Sequence, residues 1–386
     1  MKIKLVYIIS DVSLGGAQTL LFDIVNYLKH KDDLDITIII INSGEFLKMF
    51  DESGIKYIDL KESGLFNRNI LTKLKKILKE IKPDIVHTHL ITADFYGRIA
   101  AKQAGVPVIY STCHNYSFDK NEADINKLSI LDLIDNFIIS YSGSNLIAIS
   151  EIVKKYLVNR NKSFEKKTEV IYNGIDVNKE QYKLGVTEIQ NFRNKFNISK
   201  DDFLITILGR LTMQKGHVFF LDAIKDFLKE KKNVKVLILG EGELRSEIES
   251  QIVENDLSGY VFLMGFQQET EKFIEISDLI CVPSLWEGFG LVIIEAMIKR
   301  KIVLASNVGG IAEIVEDNKT GFMFEVNNKK CFQEKINYIY DNSNKLELIK
   351  NNALELVKQK FNIWKNSELY YLSYLKKLAI INKDLI

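Results

Sequence analysis

The segment LICVPSLWEGFGLVIIE, residues 279–295, contains a strand, a turn and the beginning of a helix in that order. The apolar run Leu279–Val282 is typical of a strand that helices cover on both faces of a parallel sheet. A helix is predicted to begin near Phe289 or Gly290, directly after the turn. In such strand–turn–helix units, ligands bind at the carboxyl ends of the strands. The segment therefore predicts an α/β fold with a ligand site at this turn.

The same alternation of apolar strands and amphipathic helices extends over the whole chain. It begins with a strand at Lys4–Ile9, becomes polar and turn-rich at 173–185, and restarts with a strand at Phe203–Leu208. The pattern predicts two doubly wound Rossmann-like domains that face a cleft. The expected parts are a first domain, a second domain and a C-terminal helix that returns to the first domain: residues 1–176, 177–362 and 363–386.

Composition argues against several classes of protein. The chain has 52 basic and 51 acidic side chains, whereas nucleic-acid binding is typical of a strong basic excess. The three cysteines, Cys113, Cys281 and Cys331, lack the spacing of a disulfide framework or a zinc site. No apolar run approaches the roughly 18 residues needed to cross a bilayer. We therefore expect a cytoplasmic protein with no metal site.

Two glutamates, Glu287 and Glu295, flank the turn and the start of the predicted helix. Backbone N–H groups at a helix N-terminus favour an anionic ligand, and Gly288 and Gly290 permit close approach to the backbone. A carboxylate can also accept hydrogen bonds from two hydroxyls of a sugar ring. A capping glutamate explains Glu287 equally well in isolation, but the whole constellation favours a ligand site.

Basic residues follow another predicted strand. Gly209-Arg210-Leu211 comes directly after Phe203–Leu208, and Gln214-Lys215-Gly216 follows shortly afterwards. A planar guanidinium and a lysine ammonium together suit a diphosphate, whose charge they would neutralise as it departs. The alternative is a pair of solvated side chains at the end of a strand.

In the first half, Gly15-Gly16 lies between the first strand and its helix but lacks the GxGxxG spacing of a dinucleotide site. His114 follows a strand end, where a histidine is either structural or catalytic. His87 and His89 form an HxH pair that would suit a metal, but no third ligand with suitable spacing is visible. We expect this pair to line the cleft or to be structural.

Taken together, these motifs resemble those of glycosyltransferase family 4, which comprises retaining enzymes of the GT-B fold. The spacing of Glu287 and Glu295 is similar to the EX7E signature of that family. The resemblance implies that Glu287 contacts the transferred sugar and that Glu295 binds the ribose of the donor nucleotide. It also implies that backbone amides after the first glutamate hold the sugar and phosphates: Phe289, Gly290, Leu291 and Val292.

The resemblance extends from about Ile3 to Phe361 and assigns further roles. Arg210 and Lys215 correspond to the diphosphate-binding pair, and His114 lies near the transferred sugar. Glycines and one aromatic residue correspond to the donor phosphate loop, the donor pocket and the nucleobase site: Gly15 and Gly16, Gly240 and Gly242, and Gly265 and Phe266.

The activity implied is retaining transfer of a sugar from a nucleoside diphosphate to a hydroxyl of a glycan or lipid-linked acceptor. Such an enzyme would serve cell-surface polysaccharide or glycolipid synthesis, with UDP as the first expectation for the nucleotide and GDP as the second. Because Arg210 and Lys215 supply positive charge, the resemblance implies no metal and no resident cofactor.

Three rival functions remain open at this point. A glycoside hydrolase could use two glutamates but has no need of an Arg–Lys pair. A nucleotide-sugar epimerase could use a similar two-lobed scaffold. A non-catalytic GT-B subunit is disfavoured because Glu287, Arg210 and Lys215 are all present.

The predicted helix from about Arg68 to Lys82 is basic on one face and apolar on the other. Such a helix can lie on an anionic bilayer, whereas a doubly wound domain would bury its apolar face against the sheet. Both hold if only the lysines contact lipid. We therefore expect weak peripheral association with the inner face of the membrane.

Overall fold

The computed structural model describes residues 2–13, 15–64, 67–116, 128–181 and 183–383. They form two units, each with its own parallel sheet. The first unit comprises the described residues up to Asp176 and those from Asn362 onward, and the second comprises the described residues from Val177 to Phe361.

Seven parallel strands form the sheet of the first unit, in the order β3-β2-β1-β4-β5-β6-β7. Leu5 pairs with Ile36 on one side and with Ile85 on the other, so the first strand lies where the strand order reverses. The strands are β1 (Ile3–Asp11), β2 (Leu34–Asn42), β3 (Tyr57–Asp59), β4 (Ile85–His89), β5 (Val108–Cys113), β6 (Asn145–Ala148) and β7 (Thr168–Val170).

Helices cover both faces of this sheet. The evidence is that alternate residues of β1, which point to opposite faces, are buried in two different cores. Tyr7 packs in the core that includes Leu21, whereas Ile8 packs in the core that includes Leu74. The first six helices are α1 (Gly16–Leu28), α2 (Leu47–Ser53), α3 (Arg68–Ile81), α4 (Ile91–Ala104), α5 (Ile130–Ser142) and α6 (Glu151–Arg160).

The second unit repeats this plan with six parallel strands in the order β10-β9-β8-β11-β12-β13. Its strands are β8 (Phe203–Leu208), β9 (Val234–Leu239), β10 (Val261–Gly265), β11 (Leu279–Val282), β12 (Ile302–Ser306) and β13 (Phe322–Phe324). Its helices are α7 (Val186–Asn194), α8 (His217–Glu230), α9 (Arg245–Glu254), α10 (Thr270–Ile276), α11 (Leu291–Ile298), α12 (Lys329–Asn342) and α13 (Glu347–Lys360). The two strand orders confirm the predicted pair of doubly wound Rossmann-like folds.

The last helix, α14 (Ile363–Lys383), packs in the first unit, as predicted. The Tyr374 hydroxyl lies 2.9 Å from that of Tyr7 on β1, and Trp364 Nε1 donates to Asp176. Apolar periodicity predicts a helical stretch from about Gln333 to Leu378, but a 3-10 turn at Ser343–Lys345 interrupts it. Asparagine and serine side chains there compete for backbone hydrogen bonds, which explains the interruption.

The apolar periodicity of the sequence did not locate two helices of the first unit, α5 and α6. In the part of the chain that the structure describes, none of the helices is both long enough and apolar enough to cross a membrane.

Candidate functional site

Glycines allow the carboxyl ends of β8, β9 and β10 to approach closely. The Gly240 N–H donates to the Gly265 carbonyl at 2.8 Å. A Cβ at Gly240 would lie 2.0 Å from the Gly209 carbonyl oxygen, and one at Gly242 would lie 2.3 Å from that of Leu211. Gly240 also has φ +140°, a backbone conformation that other residues rarely adopt. The predicted glycines therefore lie together at one end of the sheet, and the loops can close only because side chains are absent.

Lys215 and Glu287 form an ion pair at this end of the sheet. Their Nζ and Oε2 atoms lie 2.5 Å apart, and the side chains are only 22% and 13% exposed. Gly216 makes this approach possible, because its φ is +68° and a Cβ there would lie 1.9 Å from the Pro283 carbonyl oxygen. Ser284 Oγ makes a longer contact of 3.4 Å to the same carboxylate oxygen. The sequence analysis assigned Lys215 to the diphosphate and Glu287 to the sugar, and it did not predict that these two side chains pair with each other.

Hydrogen bonds fix the Glu287 loop on both sides. The Gln214 carbonyl accepts from the Leu285 N–H at 2.8 Å, and Gln214 Nε2 donates to the Trp286 carbonyl at 3.1 Å. On the other side, the Gly310 N–H donates to the Glu287 carbonyl at 2.8 Å. The carboxylate is thus presented from a rigid loop rather than from an unsupported one.

Helix α11 begins at Leu291, with Gly290 as its N-cap at φ +100°. Glu295 is partly buried in the second turn of this helix. The Phe289 side chain is buried and packs edge-on against Phe361, with ring centroids 5.5 Å apart. Any ligand contact by Phe289 would therefore use its main chain, as the sequence analysis expects, whereas Leu291 and Val292 are partly buried at the helix start.

The other predicted donor residues are more exposed. Arg210 lies on the surface directly after β8, unlike the enclosed Lys215. Phe266 is 53% exposed directly after β10. An exposed ring at a strand end offers a flat apolar surface to a ligand.

In the first unit, Gly15 is the N-cap of α1 and Gly16 is its first residue, and both are exposed. Gln18 is buried and donates from Nε2 to Asp11 Oδ1 at 3.0 Å. A Cβ at Gly15 would lie 2.7 Å from Gln18 Oε1. A side chain at Gly15 would therefore require the end of the Gln18 side chain to shift. Leu14, within the same loop, lies outside the described residues.

His114 follows β5 and is paired with another histidine. Its Nε2 lies 3.1 Å from Nδ1 of His89, which is fully buried at the end of β4. Burial lowers the pKa of His114 to about 4 and lowers the pKa of His89 well below its ordinary value. Both rings are therefore neutral at neutral pH. The sequence analysis did not predict this pairing, because the pairing depends on β4 and β5 being adjacent.

His87 serves the structure of the first unit. Its Nδ1 lies 2.5 Å from the Tyr374 hydroxyl and its Nε2 lies 2.8 Å from Thr112 Oγ1, so α14 is joined to the sheet through this ring. Within the described ranges, no group of three His, Cys, Asp or Glu residues is arranged to hold a metal ion.

Two family models match the chain, one in each unit. The model described as Glycosyltransferase Family 4 matches residues 14–179, and the model described as Glycosyl transferases group 1 matches residues 188–356. One relative is the Escherichia coli UDP-Gal:alpha-D-GlcNAc-diphosphoundecaprenol alpha-1,3-galactosyltransferase, which is 26% identical over 94% of each chain. Another is the Staphylococcus aureus capsular polysaccharide biosynthesis glycosyltransferase CapM, which is 28% identical over 92% of this chain and 93% of its own.

Solved structures share the fold. HepE of Anabaena in complex with UDP superimposes with a TM-score of 0.81 at 21% identity, over 97% of this chain and 100% of its own. Sucrose-phosphate synthase of Thermosynechococcus elongatus gives a TM-score of 0.79 at 17% identity, over 98% and 100%. Since the two family models together match most of both units and the architecture agrees, the chain belongs to glycosyltransferase family 4 and is a glycosyltransferase of the GT-B fold.

Proposed function

We propose that the enzyme transfers a sugar, with retention of configuration, from a nucleoside diphosphate to a hydroxyl of a lipid-linked or glycan acceptor. The observation that carries this proposal is the Lys215–Glu287 pair, which is held at the carboxyl ends of β8 and β11 by glycine-built loops. It places a cation for a departing diphosphate beside a carboxylate for sugar hydroxyls.

The pair can serve both ligands at once. An ammonium has three N–H donors, so Lys215 can keep its bond to Glu287 and still donate to a phosphate oxygen. Arg210, exposed at the end of the same strand, would bind the diphosphate with its planar guanidinium. Because these residues supply the positive charge, the proposed reaction uses no metal and no resident cofactor. The departing phosphate would accept the acceptor's proton, which is consistent with same-face attack.

Further residues complete the proposed donor site. Glu295 would bind the ribose, and the exposed Phe266 would stack on the nucleobase. The neutral His114 would exchange a hydrogen bond with the transferred sugar without adding charge. The remaining contacts would come from backbone groups at positions 289–292 and at the glycines: Gly15, Gly16, Gly240, Gly242 and Gly265.

The names and ligands of similar proteins support UDP and a lipid-linked acceptor. The Escherichia coli relative is named for UDP-galactose and a diphosphoundecaprenol acceptor, and HepE was solved with UDP and with UDP-glucose. We infer that this enzyme acts in cell-surface polysaccharide or glycolipid synthesis at the cytoplasmic face of a membrane.

Calorimetric titration with UDP tests the donor site. Lys215→Ala should weaken binding by about 2–5 kcal/mol, the usual cost of removing one partner of an enclosed charged contact, and Arg210→Ala should weaken it by less because Arg210 is exposed. Lys225→Ala is the matched control, because Lys225 pairs with Asp222 within α8 and is not one of the predicted donor residues. Unchanged UDP affinity in both Arg210 and Lys215 variants would contradict the assignment.

A further inference from the structure

The ring of His114 is hydrogen-bonded to the ring of His89. Their Nε2 and Nδ1 atoms lie 3.1 Å apart, and the two ring planes are tilted by 42°. His114 is partly exposed after β5, whereas His89 is fully buried at the end of β4. Among the residues that the structure describes, no other group forms a hydrogen bond with the His114 ring. His89 is therefore the side chain whose hydrogen bond orients this ring.

The His89 ring is itself fixed in place. It packs against the ring of His87 with centroids 4.6 Å apart, and against that of Tyr7 at 5.8 Å. His87 is in turn hydrogen-bonded to Tyr374 of α14. The next residue along the chain, Leu90, has φ +72° and ψ 159°, a conformation that residues other than glycine rarely adopt. Backbone strain of this kind persists only where the surrounding structure enforces it, and it is typical of functional sites.

One nitrogen of His89 is left without a partner. Its Nε2 is buried, and the described residues supply no hydrogen bond to it. An unpartnered buried polar atom destabilises a fold. An apolar side chain at this position would avoid that cost and would lose only the bond to His114. The presence of a histidine is therefore explained better by its effect on His114 than by the stability of the first unit.

A hydrogen bond between two neutral imidazoles links their tautomers. Burial lowers the pKa of both rings and keeps them neutral, so one nitrogen of the pair carries a hydrogen and the other is bare. If His114 donates from Nε2, its Nδ1 is a bare acceptor, and His89 carries its own hydrogen on Nε2. If His89 donates instead, both rings carry the hydrogen on Nδ1. Either arrangement leaves His89 Nε2 unpartnered. The first is favoured, because a neutral histidine is intrinsically more stable with its hydrogen on Nε2.

We propose that His89 is a positioning residue, which holds His114 with its hydrogen on Nε2 and leaves the bare Nδ1 to accept from a hydroxyl of the donor sugar. A ring that is already held in one orientation and one tautomer loses less freedom when the sugar binds. The inference rests on the proposed function, which places His114 beside the transferred sugar. It adds the direction of that hydrogen bond and the residue that sets it.

Nuclear magnetic resonance of protein labelled with ¹⁵N-histidine measures the tautomer directly, because protonated and bare imidazole nitrogens resonate at well-separated frequencies. The chain has five histidines, and the signals of His114 are assigned by their loss in His114→Gln. At neutral pH the parent should show one His114 species, with the hydrogen on Nε2. In His89→Leu, His114 should become a mixture of both tautomers. The matched control is His30→Leu, an exposed histidine of the same unit, which should leave the His114 signals unchanged.

Calorimetry tests the sugar contact. The parent is titrated with UDP, UDP-glucose, UDP-galactose and UDP-N-acetylglucosamine, and the sugar nucleotide that it binds most tightly is compared with UDP. The ratio of these two affinities should fall about two- to tenfold in His89→Leu, which is the contribution of one neutral hydrogen bond, while the UDP affinity itself stays unchanged. His89→Asn guards against misfolding of the leucine variant. Its amide occupies the position of His89 Nδ1, so the ratio should fall less.

Several results would overturn the proposal. These are a parent whose His114 carries its hydrogen on Nδ1 or shows both tautomers, a single tautomer that persists in His89→Leu, an equal change in His30→Leu, and an affinity ratio that stays unchanged in both His89 variants. A parent that does not bind UDP would instead refute the proposed donor site. The tautomer measurements need no ligand and would still decide the role of His89.

Discussion

The Lys215–Glu287 pair permits a quantitative prediction about the second unit. We consider Lys215→Met, which keeps the apolar stem, Glu287→Gln, which keeps the shape, and the double variant. The 2.5 Å contact joins two side chains that are 22% and 13% exposed, so solvent screens it less than a surface pair. A hydrogen bond between charged groups in such surroundings contributes about 1.5–3 kcal/mol to the free energy of unfolding. We expect the coupling energy of the cycle to lie in this range.

The assay is urea denaturation followed by tryptophan fluorescence, in which Trp286 reports from beside Glu287. The matched control is the same cycle on Lys225 and Asp222, a pair at 2.7 Å whose side chains are 29% and 50% exposed. Solvent screening should limit that coupling to about 0.2–1 kcal/mol.

The two cycles together decide whether the pair stabilises the donor end of the sheet. If the coupling between Lys215 and Glu287 does not exceed that of the control, the two side chains act independently. Lys215 would then not help to hold the Glu287 carboxylate in position, even if both residues bind ligand.

Three further predictions follow from the same geometry. Gly240→Ala should lower the free energy of unfolding by about 1–3 kcal/mol, because its Cβ would lie 2.0 Å from a carbonyl oxygen at a strained φ; an unchanged urea midpoint would refute the required close approach. Burial lowers the pKa of His114 and of His217 to about 4, so the unfolded chain binds protons first as pH falls below about 6.5. Stability should therefore decline from that pH toward 4, by up to about 1.4 kcal/mol per pH unit for each histidine. Asp94 opposes this decline, because burial raises its pKa to about 6. A urea midpoint that stays flat across this range would contradict the predicted effect of the histidines. Glu295→Gln should raise the KM for the donor with little change in kcat, since ribose contacts are alike in the ground and transition states, and steady-state kinetics showing a kcat defect alone would reverse the assigned role.

Local features of the sequence were sufficient to predict the fold class and the positions of most of the loops that follow the strands. Apolar periodicity located strands such as Phe203–Leu208, and the resemblance to the family singled out Gly240 and Gly242, where the structure shows close approaches. These features can be predicted from the sequence, because the pattern of apolar residues along a strand and the backbone freedom of a glycine are local properties of the chain.

The pairs that build the candidate site could not be predicted in this way. Lys215 and Glu287 are 72 residues apart in the chain and meet only because β8 and β11 are adjacent in the sheet. His89 and His114 meet for the same reason between β4 and β5. Strand order follows from how the helices pack, and periodicity along one strand does not specify which strand lies beside it.

Helix α5 shows the limit most directly. The sequence pattern did not locate this helix, and the structure exposes the large apolar side chain of Phe137 on it. Asp135 decides the orientation, because it is bonded to Arg98 and Arg160, which come from helices on either side of α5. Only the tertiary structure brings those two buried cations to one carboxylate, and removing it would leave Arg98 with Asp94 alone and weaken the pairing of Arg160, a costly change for buried charges.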